Sequence, residues 1–232
     1  MRAFGTSREA ATGSRPRSCY ATPTLGADLD DDHALLSAWA GGDSAAGDRL
    51  VRRHFDKLWG FFWNKVADRP EDLVQRTFLL CLERHERIRP TASFRGFLFG
   101  VARRVLFKHY DAEARQRLNV PVGDATIEAL SGSPSQQIAM REEQKLLLAA
   151  LRRIPIDFQL TLELFYWEGA SVVEIAEVLE VRPGTVKSRL NRARGMLKDA
   201  LASLDVSSEL RQTTMGNLDQ WARSLRRALR PE

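Results

Sequence analysis

The chain has 232 residues, with 35 Lys and Arg against 30 Asp and Glu, a net charge of +5 and an isoelectric point near 9.5. That length suffices for two small domains with real cores, and the basic excess favours an acidic partner such as nucleic acid. Cys19 and Cys81 lack metal-ligand spacing and predict a reduced, cytoplasmic protein, while the absence of a signal-peptide pattern or a long apolar run argues against stable membrane insertion.

Residues 1–27 are rich in Arg, Ser, Thr, Gly and Pro without periodicity, which predicts a disordered tail. The acid cluster at 28–32, beside His33, fits a helix N-terminus better than a metal site. A helical pattern runs through Leu35, Leu36, Ala38 and Trp39 and breaks at Gly41-Gly42-Asp43. It resumes through Leu50, Val51, His54, Phe55, Leu58, Phe62 and Val66, whose aromatics predict core. Arg69-Pro70 punctuates, and another helix follows from Glu71 through Phe78, Cys81 and Leu82. Arg89-Pro90-Thr91-Ala92 predicts a loop, with Ser93 as the N-cap of the next helix.

In that helix Phe94, Phe97, Leu98, Val101, Ala102, Val105 and Leu106 make one buried stripe. Off the stripe lie Arg95, Phe99, Arg103, Arg104, Phe107, Lys108, His109 and Tyr110. Cations interleaved with rings suit a single-stranded nucleic acid, phosphates on the cations and unstacked bases on the rings. The rings could equally pack on neighbouring helices, and the residues alone leave both readings open.

Residues 119–137 carry Pro121, Gly123, Gly132 and Pro134 among Ser and Asp, the composition of an inter-domain linker. Helix returns through Ile138, Leu146, Leu147, Leu148 and Leu151, breaks at Ile154-Pro155, and continues over 158–167. The most informative stretch is 171–201. Ser171 and Glu174 form a capping box, Ile175, Ala176 and Leu179 share a face, and Glu180-Val181-Arg182 makes a turn before Pro183. Val186, Leu190, Ala193 and Leu197 then define the buried face of a second helix. Its remaining surface holds Arg182, Lys187, Arg189, Arg192, Arg194 and Lys198, with Thr185, Ser188 and Asn191 among them. A short helix, a tight turn and a basic second helix predict a helix-turn-helix that places its second helix in the major groove. Beyond Leu204 an amphipathic segment carries Leu218, Trp221, Leu225 and Leu229 opposite Arg223, Arg226, Arg227 and Arg230. Docking on its own protein is the expectation, with a partner or a membrane surface as alternatives.

These patterns predict an all-α protein of two small helical domains joined by a flexible linker, the second a helix-turn-helix domain. The expected divisions are a tail at 1–27, a first domain at 28–116, a linker at 117–137, a second domain at 138–204 and an extension at 205–232. No cofactor, metal or catalytic residue is expected: there is no Ser/His/Asp set, phosphate-binding glycine loop or paired metal motif.

Over about residues 33–204 the sequence resembles the extracytoplasmic-function (ECF) group of bacterial RNA polymerase sigma factors. The resemblance is carried by Pro70-Glu-Asp-Leu-Val-Gln-Arg-Thr-Phe78 and Ser93-Phe-Arg-Gly-Phe-Leu-Phe-Gly-Val-Ala-Arg103 in the first half. In the second half it is carried by Ser171-Val-Val-Glu-Ile-Ala-Glu-Val-Leu179 and Gly184-Thr-Val-Lys-Ser-Arg-Leu-Asn-Arg-Ala-Arg194. It implies binding to core RNA polymerase and promoter DNA, regulation by an anti-sigma factor, and no catalysis. Asp72, Leu73 and Gln75 would grip the polymerase. Ile88, Arg89 and Ser93, with Arg103, Arg104 and Lys108 of the following helix, would hold the melted minus-ten element and a flipped base. Lys187, Ser188, Asn191 and Arg192 would read the minus-thirty-five element, with Arg182 and Thr185 setting phosphate register. The sequence departs from the family pattern at Arg76 (usually Glu), Arg104 (usually Asn), Glu180 (usually Gly) and Arg182 (usually a small polar cap). A stand-alone helix-turn-helix regulator is the alternative; it would pair the reading helix with a ligand or phosphoacceptor domain, whereas the first half predicts only helices.

Overall fold

The computed structural model describes residues 29–66, 69–88, 93–117, 121–131 and 142–204. Within them the protein is all-α, with one isolated bridge between Thr126 and Pro155. The expectations for 1–27, for the C-terminal amphipathic segment and for Arg89 lie outside the described residues.

Helices α1 (Leu29–Ala40) and α2 (Ser44–Trp63) form a hairpin whose turn obeys the predicted break. Gly42 takes φ +102°, and the Asp43 carboxylate accepts from the Ala45 and Ala46 N–H groups at 3.0 and 3.1 Å, capping α2. The predicted acid cluster is used for pairing as well as helix initiation. Arg53 donates to Asp31 at 2.6 Å and to Asp32 at 2.7 Å, and His54 Nε2 lies 2.8 Å from Asp32. Burial pushes the Asp32 carboxyl upward, but His54 and Arg53 outweigh it and hold the group below its ordinary value.

Helix α3 (Pro70–Glu83) starts with Pro70 at its first position and carries Glu71 and Asp72 in its first turn, where the dipole favours acids. Helix α4 (Phe94–Arg117) crosses α3 and closes the first core around Leu50, Leu58, Phe62, Val74, Phe78, Phe94, Leu98 and Leu106. Cys81 belongs to this core, and burial pushes its thiol up to about 12. The open question about the rings is decided by packing. Phe99 and Tyr110 are buried, and the Tyr110 hydroxyl donates to the Lys65 carbonyl, so neither presents a face to a base. Phe107 is half-buried beneath the Arg103 guanidinium, 4.2 Å away.

The segment expected to be a flexible linker is partly folded. Residues 122–124 form a 3-10 turn and α5 (Ile127–Ser131) follows, with Ile127 fully buried and the Ile156 N–H bonded to the Ala125 carbonyl at 3.0 Å. Val122, Ala125 and Ile127 supply apolar anchors that a reading by Gly, Pro and Ser content overlooks. Helices α6 (Glu142–Arg152), α7 (Ile156–Tyr166), α8 (Val172–Leu179) and α9 (Pro183–Ala202) pack around Leu148, Leu151, Leu160, Leu164, Ile175, Leu179, Val186, Leu190 and Leu197. The two groups are in contact, α4 lying along α8.

Candidate nucleic-acid interface

The helix-turn-helix forms as its caps dictate. The Ser171 hydroxyl accepts from the Glu174 N–H at 3.2 Å, and the Glu174 carboxylate accepts from the Ser171 N–H at 2.8 Å, completing the capping box. Glu180 ends α8 in the left-handed conformation, at φ 56° and ψ 41°. A side chain there costs about 1 kcal/mol or more relative to glycine. Arg182 occupies the cap position of α9 without a side-chain cap bond, and Pro183 opens the helix.

On α9 the structure sorts the cations. Arg182, Lys187, Ser188, Asn191 and Arg192 are exposed and Thr185 is half-exposed, together covering about the first three turns of one outward surface. Arg189 and Arg194 are tied inward, Arg189 lying 3.3 Å from Asp157 and Arg194 donating to Tyr166 at 2.8 Å. The Asn191 side-chain oxygen accepts from Arg194 at 3.2 Å, and the Ser188 hydroxyl donates to the Thr185 carbonyl at 2.9 Å. The Arg192 guanidinium sits 5.2 Å from the Phe158 ring, which steadies a long side chain at the surface. Every predicted reading residue on α9 therefore shares one accessible face.

The predicted minus-ten residues do not. Ile88, Gly96, Phe97, Gly100 and Arg104 line a pocket of about 290 Å³, with Arg87 at its edge. Ser93 is buried and holds the start of α4, the Gly96 N–H facing its hydroxyl at 3.4 Å. Arg103, by contrast, is turned toward Asp157 of α7 at 3.1 Å, and Lys108 lies further along α4 in a groove of about 540 Å³ with Arg76, Arg84 and Arg104. The far wall of the first pocket is Glu177 of α8. Arg95 donates to Glu174 at 2.9 Å and Arg104 to Glu180 at 2.9 Å, so two of the family departures, Arg104 and Glu180, are bonded to each other.

Burial pushes the Glu174 carboxyl upward, but the Ser171 N–H and Arg95 outweigh it and hold the group below its ordinary value. A carboxyl lowered on folding stabilises above its unfolded value and loses that contribution as pH falls through the folded one. Thermal scans should therefore show Glu174→Gln melting below the parent near neutral pH, with the gap narrowing as the pH falls below the ordinary glutamate range.

On α3, Asp72 and Gln75 are exposed as expected, whereas Leu73 is half-buried against the core. Leu79, 42% exposed and seven residues after Asp72, extends the same outward face with Arg76. Sequence reasoning missed it because a leucine in an apolar-rich helix reads as core. The i, i+3, i+7 relation to Asp72 and Gln75 is the signal that would have found it. Among the described residues no cluster of His, Cys, Asp and Glu could hold a metal ion, and no helix is long and apolar enough to cross a membrane.

Residues 144–197 match the family model described as Sigma-70, region 4. The chain is 30% identical over 181 residues to the ECF RNA polymerase sigma factor SigL of Mycobacterium tuberculosis, covering 75% of this chain and 99% of that one. It is 29% identical over 184 residues to the ECF sigma factor SigE of Mycolicibacterium smegmatis, covering 78% and 68%. Among solved structures its fold is similar to CnrH in complex with the cytosolic domain of CnrY, at a TM-score of 0.54 and 23% identity, over 76% of this chain and 100% of that one. It is similar too to the sigma factor RpoE in complex with the anti-sigma factor NepR from Bartonella quintana, at 0.52 and 20%, over 67% and 96%.

Proposed function

Because this chain belongs to the ECF RNA polymerase sigma factors, we propose that it binds core RNA polymerase in the cytoplasm and directs promoter-specific initiation, without catalysis of its own. In this reading residues 28–116 grip the polymerase and the melted minus-ten strand, and residues 138–204 read the minus-thirty-five duplex. The single observation that carries it is the outward face of α9, where Lys187, Ser188, Asn191 and Arg192 stand together while neighbouring arginines are tied inward. Such side chains bond base edges and phosphates in the major groove. The pocket beside Ile88 and Phe97 is the place for a flipped base, whose unstacking must be repaid by contacts to its edge and faces. An anti-sigma partner is proposed from the resemblance to RpoE in its NepR complex.

Core polymerase initiates specifically only with a sigma subunit. Purified protein added to core enzyme and a pool of genomic fragments should give discrete new start sites. Retention of duplex DNA by the protein alone, without start sites, would favour the stand-alone regulator.

Arg192→Ala should cost about 1–3 kcal/mol of binding to the minus-thirty-five duplex and relax preference at one base pair, as loss of a bidentate base contact does. A uniform loss on all sequences, in competition binding, would make Arg192 a phosphate contact. Leu79→Asp should weaken association with core polymerase about tenfold by placing a charge in an apolar contact, leaving the melting temperature nearly unchanged. Titration of labelled protein with core enzyme reads this out.

A further inference from the structure

Two of the departures from the family pattern, Arg76 and Arg104, face the same cavity. The groove of about 540 Å³ between α3 and α4 has Arg76 and Arg84 on its α3 side and Arg104 and Lys108 on its α4 side, over a floor of leucine and valine. No carboxylate lines it, and among the described residues the side chains of Arg76, Arg84 and Lys108 have no acidic partner. Where the family pattern has Glu and Asn, both departures add positive charge to this one groove. Four like charges around one cavity repel each other, and a run of phosphates relieves that repulsion.

The groove continues the base pocket. Arg104 lines both cavities, and Phe97, Arg104 and Lys108, at i, i+7 and i+11, follow one face of α4 from the pocket into the groove. Arg76 and Arg84 stand two turns apart on α3, about 12 Å, which is the length of three or four consecutive phosphates in a stacked strand at about 3.4 Å each.

From this continuity we infer that the groove carries the backbone of the melted strand as it leaves the base pocket, with Arg76 and Arg84 making α3 the second wall of the strand's path. The inference rests on the reading of α4 as the minus-ten surface and extends it to a helix that the resemblance assigns to the polymerase alone. Arg76 lies at the border, next to Gln75 on the exposed face and one turn before Leu80 in the groove. Backbone contacts position a strand without reading it. The added cations therefore give a grip on the melted strand that depends less on its bases.

The test follows binding of a fluorescein-labelled oligodeoxythymidine to the full chain by anisotropy, over a series of salt concentrations. Each phosphate contact on a single strand contributes about 0.7 to the slope of log affinity against log salt. R76Q/R84Q is expected to make that slope shallower by about 1.4. R49Q/R52Q, an equal loss of charge at exposed positions of α2, is expected to leave it unchanged. R104Q/K108Q probes the underlying reading by the same measure. A slope that holds in R76Q/R84Q but drops in R104Q/K108Q would overturn the role of α3 and leave α4 as the strand surface. A slope that holds in both, or a parent that binds no strand, would sink the reading and the inference together. An equal drop in R49Q/R52Q would reduce the effect to net charge and remove the groove from it. Calorimetry with tripolyphosphate runs beside these titrations. Tripolyphosphate binding that R76Q/R84Q abolishes, with the strand slope unchanged, would replace the strand by a small polyanion.

Discussion

Lys65→Met is expected to cost about 3–5 kcal/mol, because removing one partner of a buried ion pair leaves an uncompensated charge. Lys65 is fully buried after α2, and its ammonium donates to the Phe61 carbonyl at 2.6 Å, Asn64 at 2.8 Å and Glu163 of α7 at 2.5 Å. Glu163 also accepts from Asn64 at 2.9 Å and Gln159 at 2.7 Å, so the network is nearly saturated while Lys65 is present. Burial pushes the Lys65 ammonium below its ordinary value, with the Glu163 carboxylate opposing that shift. Because the pair joins the two helical groups, the loss should appear first as their separation, which returns Glu163 to water. In a urea titration the particle size of the variant should rise before its helical circular dichroism falls. The double variant K65M/E163M should recover most of the lost stability, since an apolar pair of similar volume removes the desolvation cost along with the attraction. No recovery would mean that the network contributes through its hydrogen bonds and not through charge balance.

Phe94→Ala should be of similar size, about 3–5 kcal/mol, by loss of a buried ring and the cavity left behind. Phe94 is the first residue of α4 and fully buried, with its ring edge-on to His54 at 5.3 Å and His33 at 6.4 Å. It pins the start of α4 to α1 and α2, and the proposed base pocket begins two residues later at Gly96. Its loss should lower the melting temperature by well over 10 °C, at about 4–8 °C per kcal/mol for a domain of this size. Differential scanning calorimetry checks this. A shift of only a few degrees would show that the neighbouring histidines and leucines collapse into the space.

The helix-turn-helix was legible because its signals are local. A capping box, a proline at the first helical position and a 3.6-residue apolar period depend on neighbours within one or two turns. Val186, Leu190, Ala193 and Leu197 are all buried where that period puts them. The break at Gly41-Gly42-Asp43, the start at Pro70 and the stop at Ile154-Pro155 likewise follow from backbone chemistry that travels with the residue. Two signals misled. Content of Gly, Pro and Ser made 119–137 look unstructured, although Ile127 finds a buried seat. Spacing alone could not say whether Phe99 and Tyr110 face a base or a neighbouring helix, and both are core.

What the amino-acid pattern determined by itself is the set of helices, their buried faces and the polarity of their outer surfaces, because these are short-range consequences of side-chain chemistry. What only the tertiary structure decided is which charges meet. Lys65 and Glu163 are 98 residues apart, Arg95 and Glu174 79, and Arg104 and Glu180 76. No periodicity links such positions, since a pair across two helical groups depends on how the groups pack. The same packing turned Arg103, Arg189 and Arg194 inward and left Arg182, Lys187 and Arg192 outward, although all six are the same kind of cation in sequence.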